Sequence, residues 1–176
     1  MPPAPATAWS EGAQGLQGLQ GRRPIDRSVT KGRNRSMREP LSYEIAHRAA
    51  LAALEAGRAE GHKVCAVVVN RSGIPKVLLS DDGVGLLGVE TARRKAYTSA
   101  VSGVPTAKFA AFAASPQMQV APPHLVDSNL LPVAGGVPIV TADGEVIGAI
   151  GVGGADDTTD DRIAHQARDS VTKIVA

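Results

Sequence analysis

Three side chains in this sequence, Asp82, Lys95 and His124, are of the types that move protons and stabilise negative charge in enzymes. Asp82 follows a predicted strand, and loops that leave strand ends commonly carry chemistry, so its carboxylate is a candidate general base. His124 lies in a long predicted loop of the kind that forms lids, where its imidazole would act as acid or base. Lys95 would stabilise an enolate-like oxyanion. Its neighbours Arg93 and Arg94 make a solvated helix face the competing interpretation.

These three residues suit a reaction that needs no cofactor. Together they would form an isomerase, lyase or cyclase of small-molecule or specialised metabolism. The histidines and the single cysteine do not have the spacing of a zinc site, so we predict no metal site. The segment from Gly151 to Gly154 follows a predicted strand and precedes a predicted helix, but it lacks the spacing of a dinucleotide-binding or Walker loop.

A strand that contains glycines is the most distinctive local pattern. Two β-branched runs flank Asp143-Gly144, and an Asp-Gly pair between such runs is a strong hairpin signal. The second run contains Gly148 and Gly151. Glycines inside a strand usually mark the close approach of another backbone, a helix or a ligand. The pattern therefore has two interpretations, which are tight packing of a helix on the sheet and the floor of a binding pocket.

The elements that must position these residues form an α+β pattern. Ser42 is predicted to cap a first helix that extends to about Glu60. Adjacent hairpins indicate an antiparallel sheet of about five strands, flanked by four helices. The further predicted elements are the strands Lys63–Asn70 and Pro75–Leu79, the helices Glu90–Val101 and Pro105–Ala114, the loop Pro116–Pro132, the Asp143-Gly144 hairpin, and a last helix with Thr158 and Asp161 in capping-box spacing and Ile163, Ala167, Val171 and Ile174 on its core face.

Composition restricts the partners and the compartment. Hydrophobic residues make up 43% of the 176 residues but aromatic residues only 3%, so we expect an aliphatic core. A net charge of +2 gives no general signal for binding nucleic acid or a membrane surface. No apolar run approaches the roughly 20 residues of a membrane span. The single cysteine, Cys65, leaves no internal disulfide and suits a reducing compartment, so we predict a cytoplasmic protein.

The first 37 residues differ from the rest of the chain. They contain three early prolines, a Gly-Leu-Gln repeat and many arginines, and no amphipathic period extends across them. We therefore predict a disordered tail over residues 1–37 and one folded domain over residues 38–176. Because Met37 lies immediately before the ordered pattern, a start codon assigned too far upstream would explain the tail equally well.

Three parts of the chain resemble the GlcG/HbpS-like family, which is also called the haem-degrading domain. These parts are Leu41–Gly73, then Asp82-Gly83 with Ala92–Ala100, and then Gly135–Ile139 with Ile147–Ala155 and Asp160-Asp161. Together they cover roughly residues 41–175. The resemblance implies a PAS/profilin-like antiparallel sheet flanked by helices, in a protein that assembles into homo-oligomers, as dimers or larger.

The resemblance also implies a small-molecule binding function, with haem or a related planar molecule as the ligand. Haem requires an axial ligand and an apolar slot, and the candidate histidines are His47, His124 and His165. We favour His47 as the ligand, because it lies on a predicted helix beside apolar residues and not in a solvated turn. The competing interpretation of His47 is a partly buried histidine with protein partners, and His165 points away from the core face of its helix. The other ligand-binding positions that we predict are Thr98, Gly135, Gly136, Gly148 and Gly151.

Overall fold

The computed structural model describes residues 40–172, 174 and 175, so the predicted tail over residues 1–37 lies outside the described residues. The described part contains α1 (Tyr43–Ala59), β1 (Cys65–Asn70), β2 (Pro75–Ser80), α2 (Leu86–Ser102), α3 (Thr106–Ala113), α4 (Pro116–Val120), a 3₁₀ turn (Pro123–Leu125), β3 (Gly136–Val140), β4 (Val146–Gly153) and α5 (Asp157–Thr172). The α+β class is confirmed, but this part has four strands where the sequence predicted about five, and five α-helices where it predicted four. None of these helices is both long and apolar enough to cross a lipid bilayer.

The four strands form one antiparallel sheet in the order β2-β1-β4-β3. Its two halves are the hairpins β1–β2 and β3–β4, as the turn signals predicted. Pairing of β1 with β4 joins them, with Cys65 opposite Gly153 and Asn70 opposite Gly148. In the second hairpin, Gly144 has a φ of 86°, the left-handed conformation that an Asp-Gly turn requires.

Helices cover both faces of the sheet. Along β1, Val67 and Val69 pack with α2, whereas Ala66 and Val68 belong to the larger core formed with α1 and α5. Phe109 is the one aromatic side chain among the buried hydrophobic residues of the described part. The core is therefore aliphatic, as the composition predicted. It lies on both sides of the central strand β1, whose residues are buried.

Helix α2 lies very close to the sheet because glycines lie beneath it. A Cβ atom added at any of three sheet glycines would lie within 2.2–2.4 Å of a backbone carbonyl oxygen of α2. These glycines and the residues that supply the oxygens are Gly136 with Lys95, Gly151 with Ala92, and Gly153 with Gly88. Residues 88, 92 and 95 share one face of a helix, so this face rests directly on the glycine backbone.

Capping residues set the observed helix boundaries. Ser42 caps α1 as predicted, and its hydroxyl accepts a hydrogen bond from the Ile45 N–H at 3.3 Å. Helix α2 begins at Leu86, a turn earlier than predicted, because Gly85 adopts the extended conformation of an N-cap. At the start of α5 the prediction of Thr158 was wrong, since the Asp156 carboxylate accepts hydrogen bonds from the first turn of that helix.

Candidate functional site

A buried ion pair between α2 and α5 is the central feature of the candidate site. Lys95 Nζ donates a hydrogen bond to Asp160 Oδ2 at 2.8 Å, and both side chains are only 2% exposed. Asp160 Oδ1 accepts a second hydrogen bond from the Ala155 N–H at 3.1 Å. Burial raises the pKa of Asp160, and the hydrogen bond and charge of Lys95 oppose that rise. The interpretation of Lys95 as part of a solvated helix face is therefore wrong.

Gly135, which precedes β3, makes room for this pair. It has a φ of 117°, and a Cβ atom there would lie 2.9 Å from Lys95 Nζ and 3.0 Å from Asp160 Cβ. Its N–H donates to Asp161 Oδ1 at 3.1 Å, which ties the segment to the first turns of α5. Two predicted positions, Gly135 and Gly136, thus lie beside Lys95, and their contact with a ligand stays a prediction.

A cavity of about 300 Å³ borders the ion pair. We call it the Lys95 cavity. The first turns of α2 and α5 form its walls, together with the end of β4 and the loop before β3. Besides Lys95, Ala155 and Asp160, its lining consists of Leu87, Gly88, Thr91, Val133, Gly154 and Asp157. This volume is at the lower end of the range for small-molecule sites, so the cavity has room for a small metabolite.

Gly148 and Gly151 are packed against protein atoms and are not among the residues that line the Lys95 cavity. A Cβ atom at Gly151 would lie 2.2 Å from the Ala92 carbonyl oxygen. At Gly148 it would lie 2.3 Å from the Val69 carbonyl oxygen and 2.6 Å from Leu41 Cδ2. This geometry fits the packing interpretation of the glycine-containing strand. A ligand contact at either glycine stays a prediction.

Thr98 also has protein partners, because α2 anchors the loop that the sequence predicted as a lid. The Thr98 hydroxyl donates to the Arg94 carbonyl oxygen at 2.8 Å and accepts from the Leu131 N–H at 2.9 Å. One residue earlier, the Tyr97 hydroxyl donates to Asp127 Oδ2 at 2.6 Å. The segment predicted as an unbroken loop, Pro116–Pro132, also contains α4 and the 3₁₀ turn. Its last part is therefore held against α2.

Asp82, Lys95 and His124 do not share a cavity. Asp82 is exposed and lines a separate space of about 350 Å³ near Arg58. The buried carboxylate there belongs to Asp81, which accepts a hydrogen bond from Arg58 Nε at 2.7 Å. His124 lies in the 3₁₀ turn and is exposed. The catalytic roles of these three residues stay predictions, without a common site in the structure.

The histidines lie outside the linings of both cavities. His47 is half-buried on α1, and its ring centroid is 5.7 Å from that of Tyr43. The His165 side chain is 39% exposed and its Nε2 lies 3.6 Å from Asp161 Oδ2. His62, which is not one of the candidate ligands predicted from the sequence, is half-buried between α1 and β1. Among the residues that the structure describes, no three His, Cys, Asp or Glu side chains are grouped to hold a metal ion.

Sequence reasoning missed Asp160, the acidic partner of Lys95. The helical period carried the signal, because Asp160 lies on the same face of α5 as Ile163, Ala164 and Ala167, all of which are buried. An acidic residue on a buried face needs a partner of opposite charge. Which lysine or arginine would supply that partner does not follow from local spacing, since Lys95 belongs to a helix far away in the sequence.

Comparison with known proteins places this chain in a family. Residues 41–169 match the family described as haem-degrading protein HbpS-like. The crystal structure of a double mutant of HbpS from Streptomyces reticuli is 36% identical, covers 74% of this chain and 86% of that chain, and has a TM-score of 0.66. The chain therefore belongs to the HbpS-like family.

More distant structures share the fold. The Klebsiella pneumoniae protein ORFY is 23% identical over 73% of this chain and 88% of that chain, with a TM-score of 0.67. The complex of PduOC with heme is also 23% identical, over 74% of this chain and 94% of that chain, with a TM-score of 0.67. None of the curated protein sequences matches the chain significantly.

Proposed function

We propose that this protein binds haem or a related planar molecule, with His47 as the axial ligand. Membership of the HbpS-like family supports a haem-related role, as does the heme complex of a protein with the same fold. We choose His47 because of the position of its ring, which is half-buried and packs against Tyr43 on the surface of α1. An imidazole is a common axial ligand of haem iron.

The surface of α1 fits a porphyrin better than either cavity does. Among the described residues, no histidine, cysteine, methionine or tyrosine lines either of these two cavities, so their described linings offer no usual axial ligand. On α1, by contrast, Tyr43, His47 and Leu51 follow one another at four-residue spacing and share one side of the helix. Tyr43 is 58% exposed and Leu51 is 39% exposed, so apolar surface is accessible on both sides of the imidazole.

Assembly is part of this proposal. Haem on an open helix face would expose the other face of the porphyrin to solvent. In the homo-oligomer that the family resemblance implies, as a dimer or larger, a second copy would cover that face. We also propose a cytoplasmic location, on the basis of the single, buried Cys65.

Haem titration of single-histidine variants tests the proposal. We expect a saturable shift of the Soret band in the wild-type protein and its loss in His47→Ala. The matched controls are His62→Ala, His124→Ala and His165→Ala, which should keep the shift. Because His47 is only half-buried, its replacement should leave the far-UV circular dichroism and the melting temperature close to wild type. A Soret shift that is the same in all four variants would show that His47 is not the ligand.

A further inference from the structure

Unused hydrogen-bond donors on Lys95 point to a second binding site, apart from the proposed haem surface. An ammonium group has three N–H donors. Among the described residues, Asp160 Oδ2 is the one acceptor within hydrogen-bond distance of Lys95 Nζ. The Lys95 side chain is 2% exposed, and buried donors normally have partners. The remaining donors are therefore available to an acceptor that enters the Lys95 cavity.

The start of α2 adds positive potential to the same cavity. Leu87 and Gly88 belong to the first turn of this helix and line the cavity. The N-cap residue is Gly85, which has no side chain that could cap the helix, and the first turn contains no acidic residue. The N–H groups of this turn thus have no capping side chain and carry the partial positive charge of a helix N-terminus. This end of the cavity favours a negatively charged group.

The other lining groups restrict the ligand further. The charges of Lys95 and Asp160 balance each other, and the exposed Asp157 adds one negative charge. That charge disfavours a dianion, such as the doubly ionised form of phosphate. Leu87 and Val133 provide apolar surface for a short hydrocarbon body. We propose that the Lys95 cavity binds a small organic monocarboxylate, whose carboxylate oxygen accepts a hydrogen bond from Lys95 Nζ.

NMR titration of the full-length protein with sodium acetate and sodium benzoate tests this proposal. At constant ionic strength, either carboxylate should cause saturable shifts in the amide signals of Gly88 and Ala155, which line the cavity. Inorganic phosphate and chloride should not. If neither carboxylate gives saturable shifts at these amides, water is the partner of Lys95 and the proposal is overturned.

A variant that leaves the ion pair intact separates binding from folding. Leu87 is 79% exposed at the cavity, so Leu87→Trp should obstruct the cavity and weaken carboxylate binding by about tenfold or more without changing the melting temperature. Leu125→Trp is the matched control, since Leu125 is 73% exposed and lies outside the cavity lining. Equal affinities in the two variants would overturn the location of the site.

Discussion

Lys95 and Asp160 are two charged side chains that are buried away from water. Each charge is compensated by the opposite charge of its partner. Removing one partner of such a pair leaves an uncompensated buried charge, which typically costs about 3–5 kcal/mol. We therefore expect Lys95→Met to lower the free energy of unfolding by about that amount. Denaturation in urea at neutral pH measures the change.

An exposed ion pair provides the control for this experiment. Arg71 and Glu145 lie 2.9 Å apart, and their side chains are 55% and 53% exposed. Arg71→Met should cost at most about 1 kcal/mol, because solvent already screens that pair. The double variant Lys95→Met, Asp160→Leu should recover much of the lost stability, since it leaves no charge behind. If Lys95→Met costs no more than Arg71→Met, the pair is not buried as described.

The thiol of Cys65 predicts a pH dependence at alkaline pH. Burial raises its pKa from an ordinary 9.0 to about 11. Between these values the unfolded chain loses the thiol proton while the folded chain keeps it. The thiol's contribution to stability is therefore complete below pH 9 and is lost as the pH rises toward 11.

The comparison of wild type with Cys65→Ala isolates this effect from other titrating groups. We expect the difference in unfolding free energy between the two proteins to shrink as the pH rises from 7.5 to 10. The thiol should also react slowly with iodoacetamide at pH 8, since the thiolate is the nucleophile. A difference that stays constant over this pH range would contradict the prediction.

At the scale of the elements, the position of α2 depends on the sheet glycines against which it packs. In Gly151→Ala the new Cβ would lie 2.2 Å from the Ala92 carbonyl oxygen, so the helix must move away from the sheet. We expect a loss of at least about 1–3 kcal/mol, as for other overpacked cores. Thermal and chemical denaturation measure this loss, and a shift of α2 away from β4 should be visible in a crystal structure of the variant.

Gly85→Ala is the matched control for the glycine substitution. Gly85 has a φ of −73°, and a methyl group added there would meet no heavy atom within 4 Å beyond its own chain neighbours. Its replacement should cost at most about 1 kcal/mol, the typical effect of alanine at an N-cap. Similar losses of stability in the two variants would mean that close contact with α2 is not the reason why position 151 requires glycine.

Local patterns predicted some elements well and others poorly, for a physical reason. The Asp143-Gly144 hairpin and the Ser42 cap depend on residues that are close in sequence, and both are confirmed. The start of α2 at Leu86 was missed because its first turn exposes leucines and so lacks an amphipathic pattern. The contact between Lys95 and Asp160 was missed because it depends on how α2 and α5 meet at the end of β4. Only the assembled sheet brings those two helices together.

For the whole molecule, the predicted domain boundary leads to a truncation experiment. The family match begins at residue 41, and Leu41 is fully buried in the core. We propose that residues 38–176 fold without the preceding segment. A chain that begins at Met37 should melt within a few degrees of the full-length protein. A chain that begins at Ala46 lacks Leu41 and the Ser42 cap, so it should melt at a clearly lower temperature.

One result of the truncation experiment would contradict the proposed domain boundary. Loss of cooperative unfolding in the chain that begins at Met37 would show that the earlier residues belong to the folded domain. Differential scanning calorimetry of the two shortened chains distinguishes these outcomes, because it reports both the midpoint and the cooperativity of unfolding.

The strand order β2-β1-β4-β3 also has a consequence for how fast the chain folds. Each hairpin pairs strands that are neighbours in sequence, so each can form early and independently. The central pairing of β1 with β4 instead joins residues roughly 80 to 90 positions apart, and closing so long a loop is entropically unfavourable. We therefore expect the docking of the two hairpins to limit the folding rate. Substitutions at the β1–β4 seam or within either turn should then slow folding, whereas equally destabilising substitutions at contacts that form after docking should mainly speed unfolding.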